Sequence, residues 1–536
     1  MKRRWKILIA AGIVLCAAVL ISIIHHCQLR FAVEKYIAEL KAKGEPMELA
    51  QVVPPPVPPE RNGALFITNA LCQIDEENVF TNSLIFRNNP LGMSMSIQPG
   101  KRIVGWRQPF IHDLEGYGGG YWYPTNTWTD LRAQLDERHS DLRDFRKLIE
   151  NPMVDFNYDY SDPKKYIPAL APHLSQFKLA IQWLEASEFY NLHEGKTADA
   201  CIDIRAMLAL VKAETTERFL ISQLVRFAVA QMIADATWNV LQATNVSDEN
   251  LAQLQTDWEL LEFVTPLKNA FLFERVDELR LVNNLRQTPA NLDSQVSWTE
   301  NLMPGKERAY QYKRTDDGHY VLVDERHFLQ KVKDGLSIRW GEFQWRWFWS
   351  YTDEMRGVQM WRAVIDGTEM LETNRSFPSV QSVVNTNFTQ IGFDSAKDNP
   401  YAMISQYAHN QLSAIKKLAK VETARNIVIS VIALKRYEIR NHHLPGSLDE
   451  MVPDLLKSVP IDFMDGQPLR YRRNVDGTFL LYSVGENGKD DGGKPALKKD
   501  AESSNYNWLN PDALDWVWPQ PATAAEIKYF YEHPPQ

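Results

Sequence analysis

Three aspartates interleaved with aromatic residues form the pattern that could most directly do chemistry. Asp155, Asp159 and Asp162 lie among three aromatic side chains within residues 155–162. Two carboxyl groups that flank a sugar are the catalytic pair of most glycoside hydrolases. Asp162 also precedes a proline, and Asp-Pro pairs commonly begin turns. An ordinary turn is therefore the favoured interpretation, and a hydrolase of glycans or peptides, with its site around residues 112–162, is the alternative.

Common catalytic and zinc-binding motifs are missing from the sequence. It contains no His-Glu-x-x-His, no Gly-x-Ser-x-Gly and no Cys-x-x-Cys. His442 and His443 are adjacent, and neighbouring residues of a helix do not share a face, so they suit a common metal ion poorly. The sequence assigns no catalytic residue and no cofactor, and it favours a protein that is not an enzyme.

Aromatic residues on a glycine-rich loop could contact a ligand. Tyr121, Trp122 and Tyr123 directly follow the run of glycines that ends at residue 120. Exposed rings on such a loop can stack on sugars. Folding of the loop back onto the body is the favoured alternative, because soluble proteins rarely expose large apolar patches.

A second aromatic group lies between residues 340 and 361. At helical spacing, Trp340, Phe343, Trp347 and Tyr351 form one stripe, which predicts a core-facing side. Trp345 and Trp349 fall on the opposite side of that predicted helix. They are the second candidate contact surface for a ligand.

The elements that must position these residues begin with a predicted transmembrane helix at residues 7–26. An uncharged apolar run that includes Ile7, Leu15 and Ile24 gives roughly 27 Å of helix, close to the hydrocarbon thickness of a bilayer. The run exceeds the apolar part of a cleaved signal peptide, and no Ala-x-Ala site follows it. An uncleaved signal anchor is favoured, with the lipid bilayer as its partner.

Positive charge flanks the apolar run on one side only. Residues 1–6 form a basic flank that contains Lys2, Arg3, Arg4 and Lys6. By the positive-inside bias, this flank is expected in the cytoplasm. The sequence therefore predicts a single-pass protein of the inner (cytoplasmic) membrane whose bulk is periplasmic or extracytoplasmic.

A rod and a spacer are predicted between the anchor and the body. Residues 27–44 should continue as a juxtamembrane helix, because apolar residues recur at helical spacing from Leu29 to Leu40 and Gly44 suits a helix end. Residues 45–62 form a Pro-rich linker, which predicts a stiff polyproline II spacer.

Residues 63–400 predict a mainly helical body. Helical spacing is clearest between residues 175 and 285, where amphipathic helices flank a turn at 192–196. One β-hairpin is expected near residues 310–323, because two runs rich in Tyr and Val flank an Asp-Gly pair. The fold class is therefore mainly α, arranged as helical hairpins or a bundle.

The composition is that of an ordinary globular protein. Of 536 residues, 44% are hydrophobic and 24% are charged, and the net charge of −9 is spread along the chain. A nucleic-acid partner is not expected, because proteins of that class carry clustered positive charge. Cys72 and Cys201 could pair, but the four cysteines form no disulfide framework, and free buried thiols are favoured.

Residues 401–536 predict a long helix, a small α+β domain and a tail. The helix ends near Tyr437 and is followed by Leu444-Pro445, by a link at 460–471 and by the loop 482–493, Tyr-Ser-Val-Gly-Glu-Asn-Gly-Lys-Asp-Asp-Gly-Gly. In this order the motifs resemble the C-terminal globular part of the major pseudopilin of type II secretion systems. The whole layout also resembles uncharacterised envelope proteins of planctomycete and verrucomicrobial bacteria.

The resemblance implies a calcium site in the terminal loop. Asn487, Asp490 and Asp491 are the matching positions, and their side-chain oxygens are ligands that a hard cation prefers. The spacing differs from that of an EF-hand, so a solvated loop without metal is the alternative. The apolar run departs from the pseudopilin pattern, since it has neither a Glu nor a Gly–Phe/Met processing site.

These patterns favour a membrane-anchored extracytoplasmic binding or scaffolding protein. Its expected partners, besides the bilayer, are envelope or secretion proteins. An extracytoplasmic hydrolase is the first alternative, and a pseudopilus subunit is the second. The missing Glu favours a permanent tether over a polymerising stem.

Overall fold

A computed structural model describes residues 2–73, 128–150, 153–287, 310–314, 320–324, 340, 343–392, 411–494, 508–509 and 513–520. Within these residues the protein is mainly helical with few strands, which confirms the mainly α part of the predicted fold class. The glycine-rich loop with Tyr121, Trp122 and Tyr123 lies outside the described residues.

The helices of the described residues are labelled in chain order. They are α1 (Lys2–Ala42), α2 (Leu49–Val52), α3 (Ala64–Gln73), α4 (Trp128–Glu137), α5 (His139–Lys147), α6 (Pro163–His193), α7 (Thr197–Ala213), α8 (Leu220–Leu241), α9 (Asp248–Glu259), α10 (Val264–Gln287), α11 (Ser350–Asn374), α12 (Phe377–Ile391) and α13 (Leu412–Asn441). Short 3₁₀ turns and one π-helix connect or extend them.

Short antiparallel pairs account for the described strands. β1 (Tyr310–Arg314) pairs with β2 (Tyr320–Asp324) where the sequence predicts a hairpin. After α13, β3 (Ile461–Asp462) pairs with β4 (Gln467–Pro468), and a three-stranded sheet has the order β5 (Arg470–Arg473), β6 (Phe479–Ser483), β7 (Trp516–Val517).

The chain divides into two compact units. One comprises Met1–Val52, Phe271–Gly367 and Ser382–Ser413, and the other comprises Val53–Ala270, Thr368–Gln381 and Ala414–Gln536. The apolar N-terminal helix thus belongs to the first unit. The prolines that follow it belong to the second.

In the first unit, α1 changes character along its length. Its apolar half is exposed, with Leu15 at 66% and Ile24 at 49% of their full surface. The second half is part of a core, where Leu40 packs with Leu279 of α10 and Val358 of α11. Burial of such apolar side chains contributes about 1.5–3 kcal/mol each. One continuous helix is therefore bare at one end and packed at the other.

The turn after α1 is stabilised by a glycine and by ion pairs with Glu45. Gly44 has a φ of +84°, a conformation that glycine adopts without strain, and it ends the helix as predicted. Glu45 follows, and its carboxylate accepts a hydrogen bond of 2.6 Å from the buried guanidinium of Arg275. The same guanidinium donates to the carbonyl of Pro46 at 3.0 Å, and Arg362 also pairs with Glu45.

The second unit is a bundle in which α6, α7 and α8 pack on one another. α6 and α7 form a hairpin, and Gly195, with a φ of +74°, lies in the turn between them. The apolar side chains that recur at helical spacing in α6 and α7 are buried, as the pattern predicts. The buried residues of this unit also include large polar side chains such as Arg226 and Glu188.

The predicted core stripe in the second aromatic group is wrong in its phase. Trp340 and Phe343 are exposed, whereas Trp345 is 1% exposed and packs against Val282 of α10. The side of the helix that carries Trp345, which the sequence predicts as a contact surface, is the side that packs on the core. A π-helix at Trp345–Trp349, whose i→i+5 hydrogen bonds widen the turn, then shifts the phase of the residues that follow it.

Candidate functional site

The aspartates of residues 155–162 make mainly local hydrogen bonds, which suits the favoured turn interpretation, and Asp155 also accepts one from the backbone N–H of Val57 at 3.4 Å. Asp162 is the N-cap of α6 and accepts a hydrogen bond from the backbone N–H of Lys164 at 3.0 Å. Asp159 pairs with Lys165 at 2.8 Å. Asp155 accepts a hydrogen bond from the backbone N–H two residues later, at 2.8 Å. These carboxylates order the entry to α6.

The three residues proposed for calcium are hydrogen-bonded to other protein groups. Asp490 accepts a hydrogen bond of 3.0 Å from the hydroxyl of Tyr482. Asn487 donates its amide to Asp491 at 2.9 Å, and Lys489 lies 3.2 Å from the same carboxylate. These two contacts hold the pKa of Asp491 below its ordinary value. The calcium site stays a prediction.

The π-helix contacts α1 where the apolar run ends. Trp347 donates its indole N–H to the hydroxyl of Ser22 at 2.8 Å. Its ring stacks on His26, with centroids 4.7 Å apart, and Nδ1 of His26 lies 2.8 Å from the carbonyl oxygen of Trp347. Tyr351 meets the same imidazole edge-on at 5.1 Å.

Large aromatic side chains beside this contact remain exposed. Trp340, Phe343, Phe348 and Trp349 leave 59%, 48%, 41% and 38% of their surface open. Of the two predicted contact residues of this group, Trp349 is thus at the surface. Trp345 is buried, so its ring cannot meet a surface ligand.

A cleft of about 320 Å³ lies within the second unit. Its charged lining consists of four glutamates and three basic residues: Glu259, Glu262, Glu372, Glu422, Arg375, Arg425 and Lys457. Small-molecule pockets are usually lined by apolar and aromatic side chains. The rest of the lining is mostly apolar and includes Val264, Ile429, Leu456 and Phe463, so the cleft combines charged and apolar side chains.

A buried cluster in the second unit brings an imidazole and two carboxyl groups together. His173 comes from the third turn of α6, Glu214 from the 3₁₀ turn that follows α7, and Glu217 from the link to α8. Nε2 of His173 lies 2.8 Å from Oε1 of Glu214 and 3.6 Å from Oε1 of Glu217. One ligand atom from each residue lies within 4.8 Å of the other two.

Within the described part of the chain, no N–H or hydroxyl group donates to two oxygens of this cluster. They are Oε2 of Glu214 and Oε1 of Glu217, on side chains that are 1% and 3% exposed. Burial and the neighbouring Glu214 carboxyl raise the pKa of Glu217 well above its ordinary value. A buried carboxylate without a partner is strongly unfavourable, so these oxygens are poised to accept a cation or a proton.

Sequence reasoning missed this cluster. His173 stands 41 residues before Glu214, and the fold brings it to the two glutamates only when α6 and α7 form their hairpin. One signal was present, because Glu214 and Glu217 stand three residues apart between two strongly apolar helices. The aromatic segment that suggested a site does lie beside it, since the Phe156 ring packs 4.1 Å from that of His173.

Comparison with known proteins gives no relative. No family model matches the chain, and no curated protein and no solved structure is significantly similar to it.

Proposed function

We propose that the protein is a single-pass inner-membrane protein whose extracytoplasmic body serves as a binding or scaffolding module. The observation that carries this proposal is the state of α1. From Ile9 to Ala42 it is long and apolar enough to cross a membrane, and none of its most apolar stretch is buried in the structure. A helix of this composition in the core of a water-soluble protein would be covered.

The exposed aromatic side chains support the same proposal. Trp and Tyr are enriched at the membrane–water interface, where their rings meet the headgroups. Trp340 and Trp349 stay exposed near a π-helix that is bonded to Ser22 and His26. In this arrangement the extracytoplasmic face of the inner membrane lies at the level of Ser22–His26, and the exposed aromatic side chains contact its headgroups.

A binding role is supported by the C-terminal half of the second unit. The cleft of charged and apolar side chains offers a place for a polypeptide segment. We further propose that residues 433–493 form a pseudopilin-like module, since the long helix α13 is followed by a small antiparallel sheet. Secretion or other envelope proteins are the partners that such a module would bring to the membrane.

Two native cysteines test the topology. Cys16 lies within the apolar run and Cys27 just beyond it, and both are exposed in the absence of a membrane. In spheroplasts of cells that make the full chain, a membrane-impermeant maleimide should label Cys27 from outside. It should reach Cys16 only after detergent is added, because the bilayer covers that residue.

Background labelling is controlled by the other thiols. Burial raises the pKa of Cys201 to about 12, so its thiol should react slowly, and Cys72 is replaced by Ser throughout. Comparing Cys16→Ser with Cys27→Ser assigns each signal. Labelling of Cys27 only after lysis would reverse the proposed orientation, and equal labelling of both residues from outside would exclude an embedded anchor.

A further inference from the structure

A buried arginine lies near the His173–Glu214–Glu217 cluster, and its positive charge attracts both glutamates without a direct ion pair among the described residues. Arg226 is fully buried, and its pKa is lowered to about 10 by that burial. Its guanidinium donates to the carbonyl oxygens of Val211 and Glu262, at 2.9 and 3.0 Å, and to the side chains of Gln223 and Thr215. Four of its five N–H groups therefore donate to other acceptors, and none of these four bonds reaches the open oxygens of the cluster.

Neighbouring side chains hold the residues of the cluster in their orientations. The hydroxyl of Ser222 donates to Oε2 of Glu217 at 2.5 Å, which turns Oε1 toward the imidazole. The amide of Gln223 donates to the backbone carbonyl of Glu217 at 2.8 Å. Phe156 packs on the ring of His173. Metal ligands are typically held in this way, by outer hydrogen bonds that orient each carboxylate and imidazole.

The spacing of the donors matches a small divalent ion. Ligands that bind zinc tetrahedrally at 2.0–2.2 Å stand roughly 3.4 Å apart. The separation between His173 and Glu217 is already 3.6 Å, and that between His173 and Glu214 is 2.8 Å, a hydrogen-bond distance. Both separations from His173 therefore lie within about 0.6 Å of the zinc spacing, and the separation between the two glutamate ligand atoms is within 4.8 Å. A bound ion would replace the proton between the imidazole and the carboxylate.

We propose that His173, Glu214 and Glu217 bind one divalent first-row transition-metal ion of the Zn²⁺ class. Nε2 of His173 and one carboxylate oxygen of each glutamate are the protein ligands. One imidazole with two carboxylates suits Zn²⁺, Fe²⁺ or Mn²⁺ and is a poor set for Ca²⁺, which prefers oxygen ligands alone. Three protein ligands leave a fourth position for water or another small ligand. This site is independent of the proposed membrane topology.

The full chain in detergent micelles tests the site. After dialysis against buffered Zn²⁺, the wild-type protein should retain one equivalent of zinc, and bound Co²⁺ should give the visible absorption bands of a four- or five-coordinate ion. Glu214→Gln and Glu217→Gln keep side-chain size but remove a ligand charge. They should weaken zinc binding by more than about 100-fold, and Ser222→Ala should weaken it by about 10- to 100-fold.

Glu188→Gln is the matched control. It replaces a buried carboxyl group on the same helix as His173 with an amide of the same size, and zinc binding should be unchanged. The proposal is overturned if the wild-type protein retains no zinc and shows no Co²⁺ bands, a result that requires no variant to fold. It is equally overturned if folded Glu214→Gln and Glu217→Gln bind as much zinc as the control.

Discussion

Asp462 illustrates, at the scale of the residue, how one buried side chain can connect several elements. Its carboxylate accepts hydrogen bonds from the hydroxyl of Ser483 and the backbone N–H of Val484, each at 2.9 Å, and from Arg470 at 3.1 Å. Thr423 of α13 lies 3.4 Å from the same group. Burial raises the pKa of Asp462 to about 6, although these donors oppose the shift. The long helix and the small sheet are therefore joined through one carboxyl group.

Asp462→Ala should lower the free energy of unfolding by roughly 3–5 kcal/mol, the usual loss when one partner of a buried ionic network is removed. The measurement is urea unfolding followed by circular dichroism. Asp476→Ala is the control, because its carboxylate bonds only within the exposed turn at Thr478 and should matter far less. Equal losses in the two variants would contradict the connecting role of Asp462.

At the scale of the element, hydrophobic periodicity predicted the regular helices and failed at the irregular one. The apolar faces of α6 and α7 follow the 3.6-residue period, so their pairing could be anticipated. The π-helix at Trp345–Trp349 could not, because nothing in five aromatic and basic residues specifies an i→i+5 bond. Trp340 is exposed and Trp345 is buried, the reverse of the sides that the helical period predicts.

The start of α6 gives a prediction at this scale. Asp162→Ala removes the side chain that caps the helix and should lower the free energy of unfolding by about 1 kcal/mol. Asp162→Ser retains a capping oxygen and should be nearly neutral. Thermal and urea unfolding of both variants check this. If Ser were as destabilising as Ala, the carboxylate would have a role other than capping.

At the scale of the whole molecule, the second unit contains several buried carboxyl groups. Glu188 is fully buried, and burial, with Glu185 and Asp203 nearby, raises its pKa well above the ordinary value. Burial also raises the pKa of Asp235 to about 7 and that of Asp203 to about 6. Composition could not reveal this, because the same residues on a surface would leave the net charge of −9 unchanged.

Glu188→Gln should become more stable relative to the wild-type protein as the pH rises from 5 to 8. Above the unfolded pKa of about 4.5 the unfolded wild-type chain has released the Glu188 proton, whereas the folded chain keeps it, so unfolding becomes easier with each step in pH. The difference should grow by up to about 1.4 kcal/mol per pH unit. Urea titrations at several pH values measure it, and a difference independent of pH would refute the raised pKa.

The clustering of His173 with Glu214 and Glu217 also depends on tertiary structure. Each residue type could be read from the sequence, but their meeting depends on how α6, α7 and the link to α8 close together. Spacing motifs report only ligands that share one helix or loop. The anchor helix, by contrast, is specified by a continuous run of apolar residues, so the sequence alone predicts it.

The continuity of α1 determines where the chain can be shortened. Because Val33 and Leu40 are core residues, a soluble version that starts after Gly44 would leave Leu279 and Val358 open to water and prone to aggregate. One that starts near residue 27 keeps that packing, removes the exposed half of the helix and loses the contacts of Ser22 and His26 with Trp347. A protease that sheds the body from a membrane would have to cut in the same narrow interval to leave it folded.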